Sequence, residues 1–190
     1  MQNIELYHAT IRPLINAAFH GSKVTCFAYG QTGSGKTYTM MGEGETKGLQ
    51  QLALEDVFDL LRTPRFKDLN LTISFYEIYC GKLFDLLNDR KKLVVRMDGK
   101  DKVNIVGVQE KRVGSIHSVM QFIDLGQSVR KTGCTGANDQ SSRSHAILSI
   151  QLKENKRTFG KISFIDLAGS ERGADVMDTD RQTRYTTTPD

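Results

Sequence analysis

Eight consecutive residues near the N-terminus have the types and the spacing of a phosphate-binding loop. They are Gly30, Gln31, Thr32, Gly33, Ser34, Gly35, Lys36 and Thr37, in the pattern G-x-x-x-x-G-K-T. In such a loop the glycines let backbone N–H groups converge on an anion, the lysine reaches the β- and γ-phosphates, and the threonine hydroxyl binds Mg²⁺. A flexible polar loop is the alternative interpretation. A predicted strand before the loop and a predicted helix after it favour the phosphate site.

A second candidate stretch begins at Asp166, which ends the apolar run Ile162-Ser-Phe-Ile-Asp. An acid at this position holds Mg²⁺ in P-loop nucleotidases, usually through water. The following Gly169 could offer its N–H to a γ-phosphate and move when that phosphate leaves. Taken alone, an aspartate at a strand end is equally compatible with a turn or a helix cap. The P-loop pattern earlier in the sequence favours the functional interpretation, a carboxylate that holds Mg²⁺.

The third candidate is a polar stretch from Asn138 to His145, directly before a predicted strand. Its two adjacent hydroxyls, Ser141 and Ser142, could hold metal and water. Arg143 could stabilise charge or pair with a carboxylate such as Glu171. A solvated loop is the alternative, whereas the combination of hydroxyls and a guanidinium favours chemistry.

The elements that must position these residues follow from hydrophobic periodicity. Helical spacing predicts a helix over residues 5–20 with Pro13 in its first turn and Gly21 as its cap, one from Lys36 to Met41, one over 49–61, and one that begins after Ser115. Strands are predicted at 24–29, 71–79, 103–108, 146–152 and 161–167. Residues 82–88 are predicted as a short helical or turn element, and Asp98-Gly99 as the turn of a charged hairpin. This order indicates an α/β sheet that binds its ligand at the carboxyl ends of the strands.

The amino-acid composition indicates the class of protein but does not identify a binding partner. The chain has 190 residues, of which 38% are hydrophobic and 25% are charged, and this predicts one globular domain. Its net charge of +4 is compatible with a nucleic-acid partner, with an acidic protein partner or with no partner at all. No stretch has the pattern of a signal peptide or a membrane span, so a cytoplasmic location is expected. Cys26, Cys80 and Cys134 have neither disulfide-framework nor zinc-site spacing.

Together the three stretches resemble the P-loop, switch I and switch II of a kinesin motor domain. The matching segments are Gly30-Gln-Thr-Gly-Ser-Gly-Lys-Thr-Tyr-Thr-Met40, Asn138-x-x-Ser-Ser-Arg-Ser-His145 and Asp166-Leu-Ala-Gly-Ser-Glu171. Further segments resemble the internal-motor kinesin-13 subfamily, including Phe75-Tyr-Glu-Ile-Tyr79 and Val106-Gly-Val-Gln-Glu110. The resemblance implies a P-loop nucleotidase fold of kinesin type, with a central mostly parallel sheet flanked by helices. It places a partial motor domain at residues 1–184 and a non-family polar tail at 185–190.

The resemblance also implies a role for each site residue. Nucleotide binding falls to residues 30–37 and Asn138, and Mg²⁺ binding falls to Thr37 and Ser142 directly and to Asp166 through water. The residues expected to act in catalysis are Ser141, which contacts the attacking water, Gly169, which senses the γ-phosphate, and Arg143 with Glu171, whose salt bridge closes the two switches over ATP.

The expected activity is ATP binding and Mg²⁺-dependent ATP hydrolysis, coupled to microtubules and to their depolymerisation. The expected location is the cytoplasm and its microtubule cytoskeleton, with tubulin as partner and neither nucleic acid nor membrane. Dimerisation is not evident, since the chain has no heptad repeat. The alternative function is a truncated, catalytically weak nucleotide- or tubulin-binding fragment. A GTPase is disfavoured, because no Asn-Lys-x-Asp segment follows the P-loop.

Two features depart from the family pattern. Arg12-Pro13 falls in a predicted helix rather than in the strand that carries the family's adenine-side motif, so the adenine pocket is not assigned. After Arg184 the sequence is Tyr185-Thr-Thr-Thr-Pro-Asp190, in which the threonines and the proline have low helix propensity. The chain is therefore expected to be truncated at both ends, with an unpaired sheet edge, marginal stability and impaired turnover.

Overall fold

The computed structural model describes residues 2–101, 103–132, 143–155 and 157–171. Its helical segments are α1 (Asn3–Leu6), a π-helical turn (Tyr7–Ile11), α2 (Arg12–Ala18), α3 (Lys36–Met41), α4 (Leu49–Leu61) and α5 (Ile116–Thr132). Its strands are β1 (Lys23–Ala28), β2 (Gly42–Glu43), β3 (Thr46–Lys47), β4 (Asn70–Tyr79), β5 (Lys82–Asp85), β6 (Lys91–Met97), β7 (Val103–Val106), β8 (Lys111–Val113), β9 (Ser144–Glu154) and β10 (Arg157–Asp166). None of the described helices is both long and apolar enough to cross a membrane.

The main sheet has the strand order β1-β10-β9-β4-β5-β6-β7, with β8 also paired to β4. The α/β fold class with a central sheet flanked by helices is confirmed. The sheet is mixed: β1 and β10 run parallel, and the other described pairings are antiparallel. Parallel pairing thus covers less of the sheet than the sequence predicted. Hairpins connect β4 to β5, β6 to β7 and β9 to β10, and a short hairpin can join only antiparallel neighbours.

One face of the sheet forms the core. Phe164, Leu148 and Phe75 lie side by side on neighbouring strands and are at most 1% exposed. Helix α2 contacts β1 and β10, and α5 contacts β4. On the opposite face, Phe27 of β1 is 61% exposed. The described helices therefore hold β1, the strand that leads into residues 30–37, from one side.

Two glycines allow the helices to lie close to the sheet. A Cβ on Gly160 of β10 would lie 2.0 Å from the carbonyl oxygen of Ala18, at the end of α2. A Cβ on Gly126 of α5 would lie 2.4 Å from the Phe75 ring. Both contacts are too short for any side chain, so these positions fix how closely α2 and α5 approach the strands that carry the site.

The first helix is confirmed, although it is divided into α1, the π-helical turn and α2. Pro13 is the second residue of α2, so it lies in the first turn of that segment but not in the first turn of the whole helical run. Proline has no N–H to donate, and the helix widens just before it: the Arg12 N–H bonds to the carbonyl of Tyr7, five residues earlier. Gly21 caps the helix as predicted, with φ of 88° and its N–H bonded to the Ala18 carbonyl at 3.0 Å.

The segment after Gly81 differs in part from its prediction as a short helical or turn element. Residues 82–85 form strand β5, which pairs with β4, and only residues 86–90 form a turn. Cys80 and Gly81 both have positive φ, 48° and 70°, the backbone pattern of a type I′ hairpin turn. The two-residue turn pairs residues 82–85 with β4, although the spacing of the leucines is typical of a helix. The hairpin around Asp98-Gly99 and the cap at Ser115 are confirmed, since β6 pairs with β7 and Ser115 Oγ accepts the Ser118 N–H at 3.2 Å.

Candidate functional site

The P-loop leaves the carboxyl end of β1 and enters α3 at Lys36. Gly33 and Gly35 have φ of 78° and 85°, and a Cβ on either would meet no atom within 4 Å. The left-handed backbone is therefore what requires glycine at these two positions. The Lys36 ammonium donates to the carbonyl oxygens of Gly30 at 2.9 Å and Gln31 at 2.8 Å. The Lys36 ammonium therefore lies inside the loop that would also hold a phosphate.

Parallel pairing of β1 with β10 brings Asp166 beside the P-loop, because Ala28 lies opposite Asp166 in the register. The Thr37 hydroxyl donates to Asp166 Oδ2 at 2.9 Å. Asp166 is 2% exposed, and no group of the described residues donates to its other oxygen, Oδ1. The structure thus brings together two of the three predicted Mg²⁺-binding residues and leaves one buried carboxylate oxygen available as an acceptor.

The donor set fits Mg²⁺ held jointly with phosphate and water. The described residues contain no cluster of three His, Cys, Asp or Glu side chains that could enclose a metal ion by themselves. Mg²⁺ characteristically keeps several waters and uses one or two protein oxygens together with substrate phosphates. Thr37 and Asp166 provide a hydroxyl and a carboxylate of this kind.

A buried arginine that the sequence analysis missed contacts this aspartate. Arg130, near the end of α5, is 1% exposed and donates through Nη1 to Asp166 Oδ2 at 3.2 Å. Its position could have been found from the sequence. It continues the buried stripe Val119, Ile123, Gly126 at helical spacing, so it belongs to the inner face of α5.

The segment after Asp166 packs against the P-loop. Glu171 accepts a hydrogen bond from the Thr32 N–H at 3.0 Å and another from the Thr32 hydroxyl, and Ser170 donates its N–H to the Gly30 carbonyl at 3.1 Å. A Cβ on Gly169 would lie 2.3 Å from Glu171 Oε1 and 2.4 Å from Thr32 Oγ1. Gly169 is therefore packed where a side chain would push the two loops apart.

The polar stretch is only partly described. Asn138, Ser141 and Ser142 lie outside the described residues. Arg143 is exposed, and the ion pairs found within the described ranges do not include one between Arg143 and Glu171. The predicted salt bridge stays a prediction.

His145 connects the start of β9 to the segment after Asp166. Its Nδ1 accepts the Ala168 N–H at 3.0 Å, which places the imidazole proton on Nε2. Burial lowers the pKa of His145 below its ordinary value of 6.5, and the positive charge of Arg130 lowers this pKa further, against the opposing effect of Asp166. The neutral ring is thus the form that holds Ala168.

Acidification is expected to reduce stability through His145. In the unfolded chain the His145 imidazole takes up a proton at its ordinary pKa, whereas in the folded state it stays neutral to a lower pH. Between these two pKa values the unfolded state therefore binds more protons than the folded state. Its contribution to stability is complete above about pH 6.5 and is lost as the pH falls through the lower folded-state pKa. Urea unfolding at several pH values in wild type and His145→Gln checks this. The variant should show a flatter pH dependence below about pH 6.5, and equal dependence would contradict the assignment.

Comparison with known proteins decides the family. Residues 1–188 match the family model of the kinesin motor domain. This chain belongs to the kinesin motor domain family. It is 56% identical over 185 residues to human kinesin-like protein KIF24 and 51% identical over 193 residues to kinesin-like protein KIN-13B of Arabidopsis thaliana.

The kinesin alignments cover nearly all of this chain but little of each relative. They span 96% of the chain and 14% of KIF24, and 97% of the chain and 27% of KIN-13B. A third relative, KIN-13A of Oryza sativa subsp. japonica, is 48% identical over 205 residues, with 97% of the chain and 24% of that protein covered. The two KIN-13 relatives confirm the resemblance to the kinesin-13 subfamily.

Proposed function

We propose that this kinesin chain binds and hydrolyses ATP with Mg²⁺ and couples the cycle to microtubules, specifically to their depolymerisation. The observation that carries the proposal is the hydrogen bond between Thr37 of the P-loop and Asp166 at the end of β10. It joins the loop expected to bind phosphate to the acid expected to organise the metal. Phosphoryl transfer depends chiefly on positioning and charge stabilisation, which such a junction can provide.

At this site Mg²⁺ would neutralise charge that develops on the phosphate oxygens. Thr37 and Ser142 would bind it directly, and Asp166 would do so through water, with Oδ1 as the acceptor for which the described residues provide no donor. Lys36 would exchange its carbonyl contacts in the P-loop for phosphate oxygens. This exchange is favourable because an ammonium bonds an anion more strongly than a neutral carbonyl.

The remaining assigned residues would act around the γ-phosphate. Gly169 would sense it through its backbone N–H, and Ser141 would orient the attacking water. Arg143 would pair with Glu171, whose carboxylate accepts two hydrogen bonds from Thr32 in this structure and has further lone pairs as acceptors.

The partner and location are proposed from the kinesin family match. We propose tubulin in microtubules as the partner and the microtubule cytoskeleton of the cytoplasm as the location, with neither nucleic acid nor membrane involved. The exposed strands β6 and β7 carry a net positive charge from Lys91, Lys92 and Arg96, which is compatible with an acidic protein surface. The depolymerising activity rests on the kinesin-13 resemblance alone.

A Ser141→Ala variant tests the catalytic part of the proposal. Hydrolysis of ATP should fall by about a hundredfold or more, whereas binding of nucleotide should remain, because the hydroxyl orients water rather than phosphate. Ser128→Ala, which lies on α5 and bonds only within that helix in the described structure, serves as the matched control. Unchanged hydrolysis by Ser141→Ala would contradict the assignment. A wild type that binds nucleotide without turnover would indicate the alternative function, a weak binding module.

A further inference from the structure

A cavity separate from the candidate site lies between the end of α4 and the start of α5. Its volume is about 460 Å³, and residues of β4 and β8 also line it. It shares no lining residue with residues 30–37 or with the segment that begins at Asp166. Small-molecule sites in proteins have volumes of roughly 300–1,000 Å³, so the cavity is large enough for one small ligand.

The buried part of the cavity lining is apolar. Phe58 of α4 and Leu71 of β4 are 7% and 2% exposed, and Leu61, Leu69 and Ile116 are half-buried beside them. Covering such a surface with a hydrocarbon group is favourable, because the free energy gained grows with the apolar area removed from water. This part of the cavity is therefore suited to an aliphatic chain or an aromatic ring.

The exposed part of the lining is positively charged. Arg62 and Arg112 both line the cavity, and none of the described residues that line it is acidic. Arg62 donates to Asp59, which lies outside the cavity lining, but their side chains are 74% and 71% exposed, so this ion pair is weak. Arg112 donates to the neutral amide oxygen of Asn70. Since a guanidinium has five N–H donors, both arginines keep donors for an anion.

We propose that this cavity binds a small amphipathic anion, a carboxylate carried on an aliphatic chain or an aromatic ring. The hydrocarbon part would pack against Phe58 and Leu71, and the carboxylate would face Arg62 and Arg112. The planar fork of arginine matches a carboxylate with two parallel hydrogen bonds, which an uncharged or cationic amphiphile cannot form with it. The inference needs no nucleotide and does not rest on the proposed function.

A ligand in this cavity would contact α4 and α5 at the same time. The unfolded chain does not hold these two segments together, so the ligand would bind the folded state and raise the melting temperature of the protein. Thermal unfolding followed by circular dichroism therefore gives a second measurement beside binding itself.

The test is isothermal titration calorimetry with decanoate, hexanoate and decyltrimethylammonium as probes. Decanoate should bind more tightly than hexanoate, by about fourfold for each additional methylene that is buried, and decyltrimethylammonium should not bind. Arg112→Gln should weaken the binding of decanoate about tenfold or more, because it removes a charged hydrogen-bond donor. Arg157→Gln removes the same charge from an exposed position on β10 outside the cavity lining, and it should keep the wild-type affinity.

A second variant keeps the test decisive if Arg112→Gln does not unfold cooperatively. Arg62→Gln removes the other guanidinium and should also weaken decanoate binding and reduce the rise in melting temperature. A folded wild type that does not bind decanoate would overturn the inference, as would wild-type affinity in both folded variants. Equal binding of decanoate and decyltrimethylammonium would indicate a general apolar surface instead of an anion site and would also overturn it.

Discussion

The Lys36→Ala variant is expected to bind adenine nucleotide at least about a hundredfold more weakly than wild type. Lys36 Nζ is held by two carbonyl oxygens inside the loop that we propose binds phosphate, at 2.9 and 2.8 Å. A hydrogen bond to a charged group contributes up to about 3 kcal/mol, which corresponds to roughly two powers of ten in affinity. Isothermal titration calorimetry with Mg²⁺-ADP measures the loss directly.

The Lys36 experiment needs a control that removes an equal charge elsewhere. Lys131 is exposed at the end of α5, so Lys131→Ala changes the net charge equally and should keep the wild-type affinity. A Lys36→Ala protein that unfolds as cooperatively as wild type but binds Mg²⁺-ADP with the same affinity would show that this loop does not bind phosphate.

The Glu77→Gln variant is expected to lower the free energy of unfolding by about 3 kcal/mol or more. Glu77 is fully buried and lies between two arginines, with Oε1 2.5 Å from Arg90 Nε and Oε2 4.0 Å from Arg130 Nε. Removing its charge takes away the carboxylate that accepts from Arg90 Nε and that lies beside the buried guanidinium of Arg130. Loss of one partner of a buried ion pair costs far more than the pair itself contributes.

Urea denaturation followed by circular dichroism measures this effect, with Glu110→Gln as the control. Glu110 forms an ion pair with Lys153 near the surface, where its side chain is 35% exposed. A pair of this kind contributes at most about 1 kcal/mol. If Glu77→Gln and Glu110→Gln destabilise the protein equally, the buried charges around Arg130 do not form the network described above.

The sequence predicted those parts of the fold that depend on local rules. Gly21 was identified as a helix cap and Ser115 as an N-cap, because capping depends on backbone angles and hydrogen bonds within one turn. The loop glycines and Thr37 follow in the same way from the chemistry of a phosphate site. Asp166 was identified because it ends an apolar strand, the position at which P-loop nucleotidases carry a Mg²⁺-binding acid.

The sequence failed where non-local contacts decide the structure. Residues 82–85 have helical spacing of apolar side chains, yet pairing with β4 makes them a strand. Arg130 was not recognised as a site residue, because its partners Ser144, Asp166 and Glu77 come from three different strands. The mixed pairing of the sheet likewise depends on which strands a hairpin joins, which periodicity alone does not specify.

We propose that Thr37, Asp166 and the P-loop form a Mg²⁺-dependent ATP site. The experiment for this site is displacement of a fluorescent ADP analogue from the purified protein by ATP and by GTP, with Mg²⁺ and with EDTA. We expect ATP to displace the analogue, GTP to do so much more weakly, and EDTA to weaken binding of the analogue. A folded protein that binds no analogue, or binds it equally with and without Mg²⁺, would show that these residues do not form such a site.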